Sequence, residues 1–201
     1  MSRIGVAVAA LALAATACSG GSEPGPAPTS AAPTPLAEFA TDTLTVARSD
    51  FCSRVAPAAV EDALGGESGS ADTWANGERA RLADGGTDVA HEYGCRWSAA
   101  DGTTAEGWVF APPVTPGQAG RYRRAAATAD GCRAVPDAPR FGSRSVAVRC
   151  ADGTTAFHGL FGDAWLSCSV TLAGDSGGPA AGDAVERTGR WCVSVAQAAA
   201  G

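Results

Sequence analysis

The chain contains no lysine and one isoleucine, Ile4, so all fifteen basic residues are arginine. Such usage, together with abundant Ala and Gly, is typical of a GC-rich bacterial genome. Histidine occurs only twice and no Cys-x-x-Cys pair is present, which argues against a metal site built on those side chains. Phosphate-binding loops and paired catalytic carboxylates are also absent from the sequence. We therefore predict no cofactor.

No apolar run is long enough to span a bilayer, which needs about 20 residues. The run that comes closest extends from Ile4 to Ala15, follows Arg3 and ends in Ala15-Thr16-Ala17-Cys18. A charged start, a short apolar middle and small residues at the end are typical of a cleaved export signal. The small residues before Cys18 resemble the lipobox of bacterial lipoproteins, which implies a signal peptide over residues 1–17 and a lipid on Cys18. Ordinary signal cleavage near Ala17 is the alternative.

Large apolar side chains are scarce between the signal and about Ala40, where Gly, Ser, Pro, Ala and Thr dominate. Such a segment cannot bury enough surface to offset its ordering entropy. We predict a flexible tether over residues 18–40 and a single domain over residues 41–201. The formal charge of -6 argues against nucleic acid and anionic lipid surfaces as partners.

Seven cysteines leave one without a partner in an exported chain. Cys18 is assigned to the lipid, and the other six are expected to form disulfides in an oxidising compartment. Six cysteines allow 15 pairings. Because each cysteine-bearing element should be tied to a strand nearby, we predict three pairs: Cys52 with Cys95, Cys132 with Cys150, and Cys168 with Cys192.

Three helices are predicted, over residues 57–64, 115–129 and 183–198, and the first two have a proline start and a glycine after their end. The last helix should turn Val185, Cys192 and Val195 toward the core. One further helical turn is expected over residues 79–82, inside a loop that runs to about Gly86.

Alternating apolar and polar residues predict five strands, which we place at residues 87–98, 106–111, 145–150, 154–161 and 164–172. The sixmer Ala-Asp-Gly-Thr-Thr-Ala occurs at residues 100–105 and 151–156, which indicates either an internal duplication or one turn type used twice. The predicted fold class is α+β: an antiparallel sheet covered by helices and stapled by disulfides, with a possible two-fold internal repeat.

The segment from Gly174 to Pro179 spells GDSGGP, which resembles the nucleophile motif of chymotrypsin-like serine proteases. The resemblance implies Ser176 as nucleophile and His91 or His158 as base. Asp101, Asp130 or Asp137 would be the third member. Only 22 residues follow Pro179, too few for the barrel strands of that family. We therefore interpret the motif as a glycine-rich loop before the last helix, with a serine hydrolase as the alternative.

Other side chains suggest binding rather than catalysis. His91, Tyr93 and Trp97 share one face of the predicted strand and are candidates for a ligand pocket, although packing within the core is the simpler interpretation. Trp108 and Trp165 are expected to pack on the sheet. A basic patch on the second helix, formed by Arg121, Arg123 and Arg124, is interpreted as a solvated face.

The order of elements resembles small actinobacterial lipoproteins of unknown function. The residues that carry this resemblance are Cys52, the helix 58–66 and the strand motif Cys95-Arg96-Trp97. The pattern is similar, more distantly, to extracellular sensor domains of mycobacterial-type kinases, which implies binding of an envelope ligand or protein. We predict a non-catalytic binding domain, lipid-anchored at the outer face of the cell membrane; a passive structural lipoprotein is a further alternative.

Overall fold

A computed structural model describes residues 33–81, 87–174 and 181–200. Within these ranges the protein has the predicted α+β architecture, with three α-helices and a seven-stranded antiparallel sheet. The helices are α1 (Pro57–Leu64), α2 (Pro116–Ala127) and α3 (Ala181–Ala199). The strands are β1 (Ser70–Trp74), β2 (Arg79–Arg81), β3 (Thr87–Val89), β4 (Glu92–Ser98), β5 (Thr104–Phe110), β6 (Cys132–Ala134), β7 (Ser143–Cys150), β8 (Thr154–Phe161) and β9 (Ala164–Thr171).

The sheet is built outward from β9, its central strand. Its order is β1-β4-β5-β9-β8-β7-β6, and the separate pair β2-β3 forms a small second sheet. Two hairpins, β4-β5 and β7-β8, therefore lie on opposite sides of β9. Their second strands start in the same register, because Thr104 and Thr154 both lie opposite Thr171.

Helices cover both faces of the sheet. Alternate residues of β9 point to opposite faces, and both sets are buried. Leu166, Cys168 and Val170 join the main core, against which α1 and α3 pack. Trp165 joins a second cluster with Ala119 of α2. Both faces of the central strand are therefore covered, although the α2 side of β9 carries the polar Ser167, Ser169 and Thr171 beside Trp165.

The three disulfides confirm the predicted pairing, Cys52–Cys95, Cys132–Cys150 and Cys168–Cys192. Cys132 and Cys150 are direct cross-strand partners on β6 and β7. Cys168 lies on β9 and Cys192 on α3, so that bond joins the helix to the centre of the sheet. The pairs thus link each cysteine to a neighbouring strand, as the sequence suggested.

The two copies of the repeated sixmer form the same turn. In one, the backbone N–H of Thr103 donates to Asp101 Oδ1 at 2.8 Å, and in the other Thr154 donates to Asp152 Oδ1 at 3.0 Å. Each aspartate is followed by a glycine with positive φ, a conformation that favours glycine. The shared turn chemistry accounts for the repeated sequence, and a duplication of the whole fold is not confirmed.

Residues 70–91 depart most from the prediction. The expected loop contains β1, and the expected helical turn at residues 79–82 is instead strand β2. The expected strand 87–98 is divided into β3 and β4, because Ala90 forms backbone hydrogen bonds with Glu78 and Gly77 rather than continuing along the sheet. His91 lies in this break and is exposed. It does not share a strand face with Tyr93 and Trp97.

The N-terminal boundary also differs from the prediction. Pro33 and the residues after it belong to the same compact unit as the rest of the domain. Leu36 lies in a 3-10 turn, Leu36–Glu38, and is buried in the main core although it falls in the predicted tether. The isolated leucine carried no periodicity, so composition alone placed it in the tether.

Candidate functional site

The hydrolase candidates do not form a site in the described part of the chain. Ser176 lies outside the described residues, as does most of the GDSGGP motif. His91 is exposed between β3 and β4. Asp101 is held in its hairpin turn, where hydrogen bonds from the Thr103 backbone and hydroxyl lower the pKa of its carboxyl group. That carboxylate has a local structural role.

The three candidate ligand-facing residues are separated. Tyr93 and Trp97 are half-buried and pack against the main core, whereas His91 is exposed. The Trp97 ring meets the Trp191 ring edge-on, with 5.3 Å between centroids. Tyr93 and Trp97 therefore pack against the core, in line with the simpler interpretation, and His91 does not lie beside them on the strand.

A cavity of about 470 Å³ lies at the β6 edge of the sheet, and we call it the edge cavity. It is open to solvent and is lined by the 3-10 turn at Leu36, by β6 and the loop that follows it, by Arg149 of β7, and by the first half of α3. Most of its lining is apolar. The residues are Pro35, Leu36, Ala37, Ala134, Val135, Pro136, Ala138, Pro139, Gly182, Val185 and Gly189, together with the charged Arg133, Asp137, Arg149 and Glu186.

Small residues in the first half of α3 leave this space open. Gly182 has nothing within 4 Å of the position that a Cβ atom would take. At Gly189 a Cβ atom would lie 3.1 Å from Leu36 Cβ, so the glycine permits the N-terminal segment to approach the helix closely. Val185 is half-buried between these two positions. The helix thus forms one wall without filling the cavity.

The loop after β6 forms a second, stiff wall. Val135 donates its backbone N–H to the Ala147 carbonyl at 2.9 Å, which fixes the start of the loop to β7. Pro136 and Pro139 restrict the backbone that follows. Asp137 between them has φ 56, in the left-handed region. The loop therefore presents a preformed apolar surface.

Two arginines form the charged wall. Arg133 and Arg149 lie directly opposite each other on β6 and β7, on the sheet face that carries α3. Neither forms a salt bridge within the described residues. Of the two carboxylates in the lining, Glu186 already pairs with Arg190 at 3.3 Å.

A histidine–serine pair lies on the opposite face of the sheet. Ser167 Oγ and His158 Nδ1 are 2.8 Å apart on neighbouring strands, and the His158 ring stacks on Trp165. Burial lowers the pKa of His158 to about 4. The imidazole is therefore neutral near pH 7.

This pair resembles a nucleophile and base only in its hydrogen bond. Ser167 is 3% exposed, so a substrate cannot reach its hydroxyl without opening the sheet surface. The neighbouring rings of Trp108, Phe110 and Tyr122 pack in sequence toward Trp165. We interpret the pair as a satisfied polar contact within an aromatic layer.

The chain matches no protein-family model, no curated protein and no solved structure in comparisons with known proteins. No helix among residues 33–81, 87–174 and 181–200 is long and apolar enough to cross a membrane. The same ranges bring together no group of three or more His, Cys, Asp or Glu side chains suited to a metal ion.

The edge cavity was not predicted from the sequence, because its residues come from segments that are distant along the chain. Two local signals were present: the spacing of Pro136 and Pro139 after a short strand, and glycines at 182 and 189 on one side of a helix. Neither identifies a cavity until the fold brings them together.

Proposed function

We propose that this protein is an extracytoplasmic binding domain, anchored by a lipid on Cys18, that holds a small apolar or amphiphilic molecule in the edge cavity. The observation that carries the proposal is the cavity itself. Its apolar walls come from three segments, and two arginines stand side by side on the strands that border it. No catalytic step is assigned to it.

Its size supports a binding role. A space of about 470 Å³ lies within the range of small-molecule sites, about 300 to 1,000 Å³. Several of its lining residues, among them Ala37, Ala134 and Pro136, are exposed, so the space is open to solvent and a ligand can enter it. A bound apolar group would cover these side chains.

The location is supported by the chemistry of the chain. Three disulfides fit an oxidising compartment outside the cytoplasm. The N-terminal segment resembles a lipoprotein signal, and Cys18 is the cysteine left without a disulfide partner in the pairing above. A binding domain held near a membrane would meet amphiphilic molecules of the cell envelope.

Titration with Nile red, a neutral apolar dye, tests the binding role. Gly182→Trp should abolish the rise in fluorescence seen with the wild-type domain, because the new side chain occupies the cavity. Gly117→Trp is a matched control: it also lies in the first turn of a helix, with nothing within 4 Å of a Cβ atom, but outside the cavity lining. Its dye affinity should equal that of the wild type.

The outcomes separate the candidate functions. Loss of binding in Gly182→Trp alone supports the proposal. Dye binding that survives in both variants would place the apolar site elsewhere. Failure of the wild-type domain to bind Nile red would overturn the proposal and favour a passive structural lipoprotein. Labelling of Ser176 by a fluorophosphonate probe would favour the hydrolase instead.

The anchor is tested separately by cell fractionation. Cys18→Ala should move the protein from the membrane fraction to the soluble extracytoplasmic fraction, because one lipidated residue provides the attachment. Its disulfides and melting temperature should stay unchanged. A variant that remains in the membrane fraction would contradict the lipid anchor without affecting the cavity.

A further inference from the structure

We propose that the ligand of the edge cavity is an anionic amphiphile: an aliphatic chain in the apolar part and a carboxylate or phosphate group on Arg133 and Arg149. This inference rests on the binding function proposed above and adds the chemical class of the ligand. It is carried by the position of these two guanidinium groups beside an apolar space.

The arginine pair is unfavourable by itself. Directly opposite residues of an antiparallel pair have Cβ atoms about 4.5–5.5 Å apart, and like charges in that arrangement destabilise the sheet. Arg133 and Arg149 are such a pair. An anion between them would replace repulsion by two attractions. Guanidinium groups also match the planar, two-oxygen geometry of carboxylate and phosphate.

Neither cavity carboxylate forms a salt bridge with the arginine pair in the described part of the chain. Glu186 bonds Arg190 on its own helix at 3.3 Å, and Arg190 also pairs with Asp62. Asp137 is exposed on the loop. The lining carries two arginines and two carboxylates in all, so the positive charge is local to the wall formed by Arg133 and Arg149.

The surrounding segment has the same sign of charge. Residues 114–150, which form α2, β6 and β7, contain seven arginines and two aspartates. The whole chain carries -6, so this segment is more basic than the rest of the chain. Local potentials of this kind attract anions even when the net charge is negative. The net charge thus argues against a broad anionic surface as partner but not against one anionic molecule here.

The apolar part of the cavity requires the second half of the ligand. Leu36, Val135, Pro136 and Val185 present carbon atoms beside the arginines. A free inorganic anion would leave these walls uncovered, whereas a neutral hydrocarbon would leave the arginines unpaired. One molecule that carries both an aliphatic chain and an anionic group can contact the apolar residues and pair with the arginines.

Displacement of Nile red by matched ten-carbon compounds tests the ligand class. The affinities of decanoate and decyl phosphate, measured by displacement of the dye, should be at least about tenfold higher than that of decanol. This difference corresponds to one hydrogen-bonded charge pair. Decyltrimethylammonium and inorganic phosphate should not compete at the same concentrations. High salt should lower the affinity for decanoate and leave the affinity for decanol unchanged.

Arg149→Gln should reduce decanoate affinity about tenfold and leave decanol affinity unchanged. Arg124→Gln removes an exposed arginine of α2 that does not line the cavity, so it controls for net charge. Arg133→Gln provides a second variant if Arg149→Gln fails to fold, as judged by its melting curve.

Each result decides between the two proposals. Equal affinity for decanol and decanoate would overturn the proposal of an anionic ligand, and so would an equal loss of both affinities in Arg149→Gln. Either result would leave the proposal of an apolar binding site in place. Competition by inorganic phosphate as strong as that by decanoate would show that the chain is not recognised, and would also overturn it. Absence of Nile red binding to the wild type would overturn the binding function itself.

Discussion

The two halves of α3 perform different tasks within one continuous helix. From Trp191 to Ala199 the side chains are buried on nearly every side, and Cys192 joins the helix to β9. From Gly182 to Gly189 the helix borders the edge cavity instead. The second half packs Trp191, Val193 and Val195 into the core. The residues that the first half gives to the cavity are Gly182, Val185, Glu186 and Gly189. Which side chains face the sheet along a single helix therefore decides where the core closes and where a cavity stays open.

Close contact with the sheet anchors the second half. Val195 lies so near β5 that a Cβ atom at Gly107 would be 2.9 Å from Val195 Cγ1. The Trp191 indole donates to the Glu106 carbonyl at 2.8 Å. These contacts fix the second half to the sheet, and Ala184 and Thr188 of the first half are buried on the side away from the solvent.

Truncation of the packed half should have the largest effect. Trp191→Ala removes a ring that is 1% exposed, and should lower the free energy of unfolding by about 3–5 kcal/mol. Urea denaturation measures the loss. Nile red affinity of the remaining folded protein should change by less than about twofold, because the ring does not line the cavity. A selective loss of dye binding with little loss of stability would reverse the roles of the two halves.

Removal of disulfides sharpens the comparison. Cys168→Ala with Cys192→Ala opens a link with a sequence separation of 24, and Cys132→Ala with Cys150→Ala one of 18. Each double variant should lose about 3 kcal/mol of stability. Only the second should also weaken decanoate binding, since Cys132 and Cys150 adjoin the cavity arginines in sequence. Equal effects on ligand affinity would show that the cavity depends on global stability.

The histidine of the opposite face should behave as part of a packed interior. The pKa of His158 is about 4 in the folded protein and near 6.5 when unfolded. The unfolded chain therefore binds the proton first, and stability present above pH 6.5 is lost as the pH falls toward 4. The loss is about 3 kcal/mol at most.

Urea denaturation at pH 7 and pH 4.5 tests this effect. His158→Gln should remove most of the pH-dependent loss. His91→Gln, at the exposed histidine, should retain the wild-type dependence. If both variants behave alike, the buried imidazole is not the source of the effect.

The smallest effect concerns Arg190, which lies where the two halves meet. It bonds Asp62 of α1 through two nitrogen atoms, at 3.0 and 3.3 Å, and Glu186 on its own helix at 3.3 Å. The hydrogen bond with Asp62 raises the pKa of Arg190. Asp62→Asn should reduce the free energy of unfolding by up to about 1 kcal/mol, and Glu186→Gln by a few tenths. A larger loss from Glu186→Gln would indicate that the first half is the better anchored.

The packed half of α3 was predictable, because its apolar residues recur with helical spacing. Cys192 and Val195 of this half lie in the core as expected, and Val185 of the first half packs against it. The three disulfides were predictable for a related reason: every cysteine lies on, or a few residues from, a predicted helix or strand whose neighbour follows from the order of elements. Local pattern determines these features.

The cavity was not predictable from the same patterns. Leu36 belongs to a segment whose composition is that of a tether, and the proline loop gives no periodic signal. Arg133 and Arg149 become neighbours only through the pairing of β6 with β7, and β6 is too short to predict. The prediction of one strand over residues 87–98 was wrong for the converse reason. Period-two alternation continued through Ala90, where backbone hydrogen bonds to the preceding turn interrupt the strand.

The most direct test of the account is an amide NMR titration of the domain with decanoate. We expect saturable shifts in the loop 134–138 and in residues 185–189 of α3, with little change from Trp191 to Ala199. That result would place the ligand at the open half of the helix and leave the packed half undisturbed. Shifts centred on the packed half, or on Trp108 and Phe110 of the opposite face, would contradict the division of α3 into a closed half and a binding half.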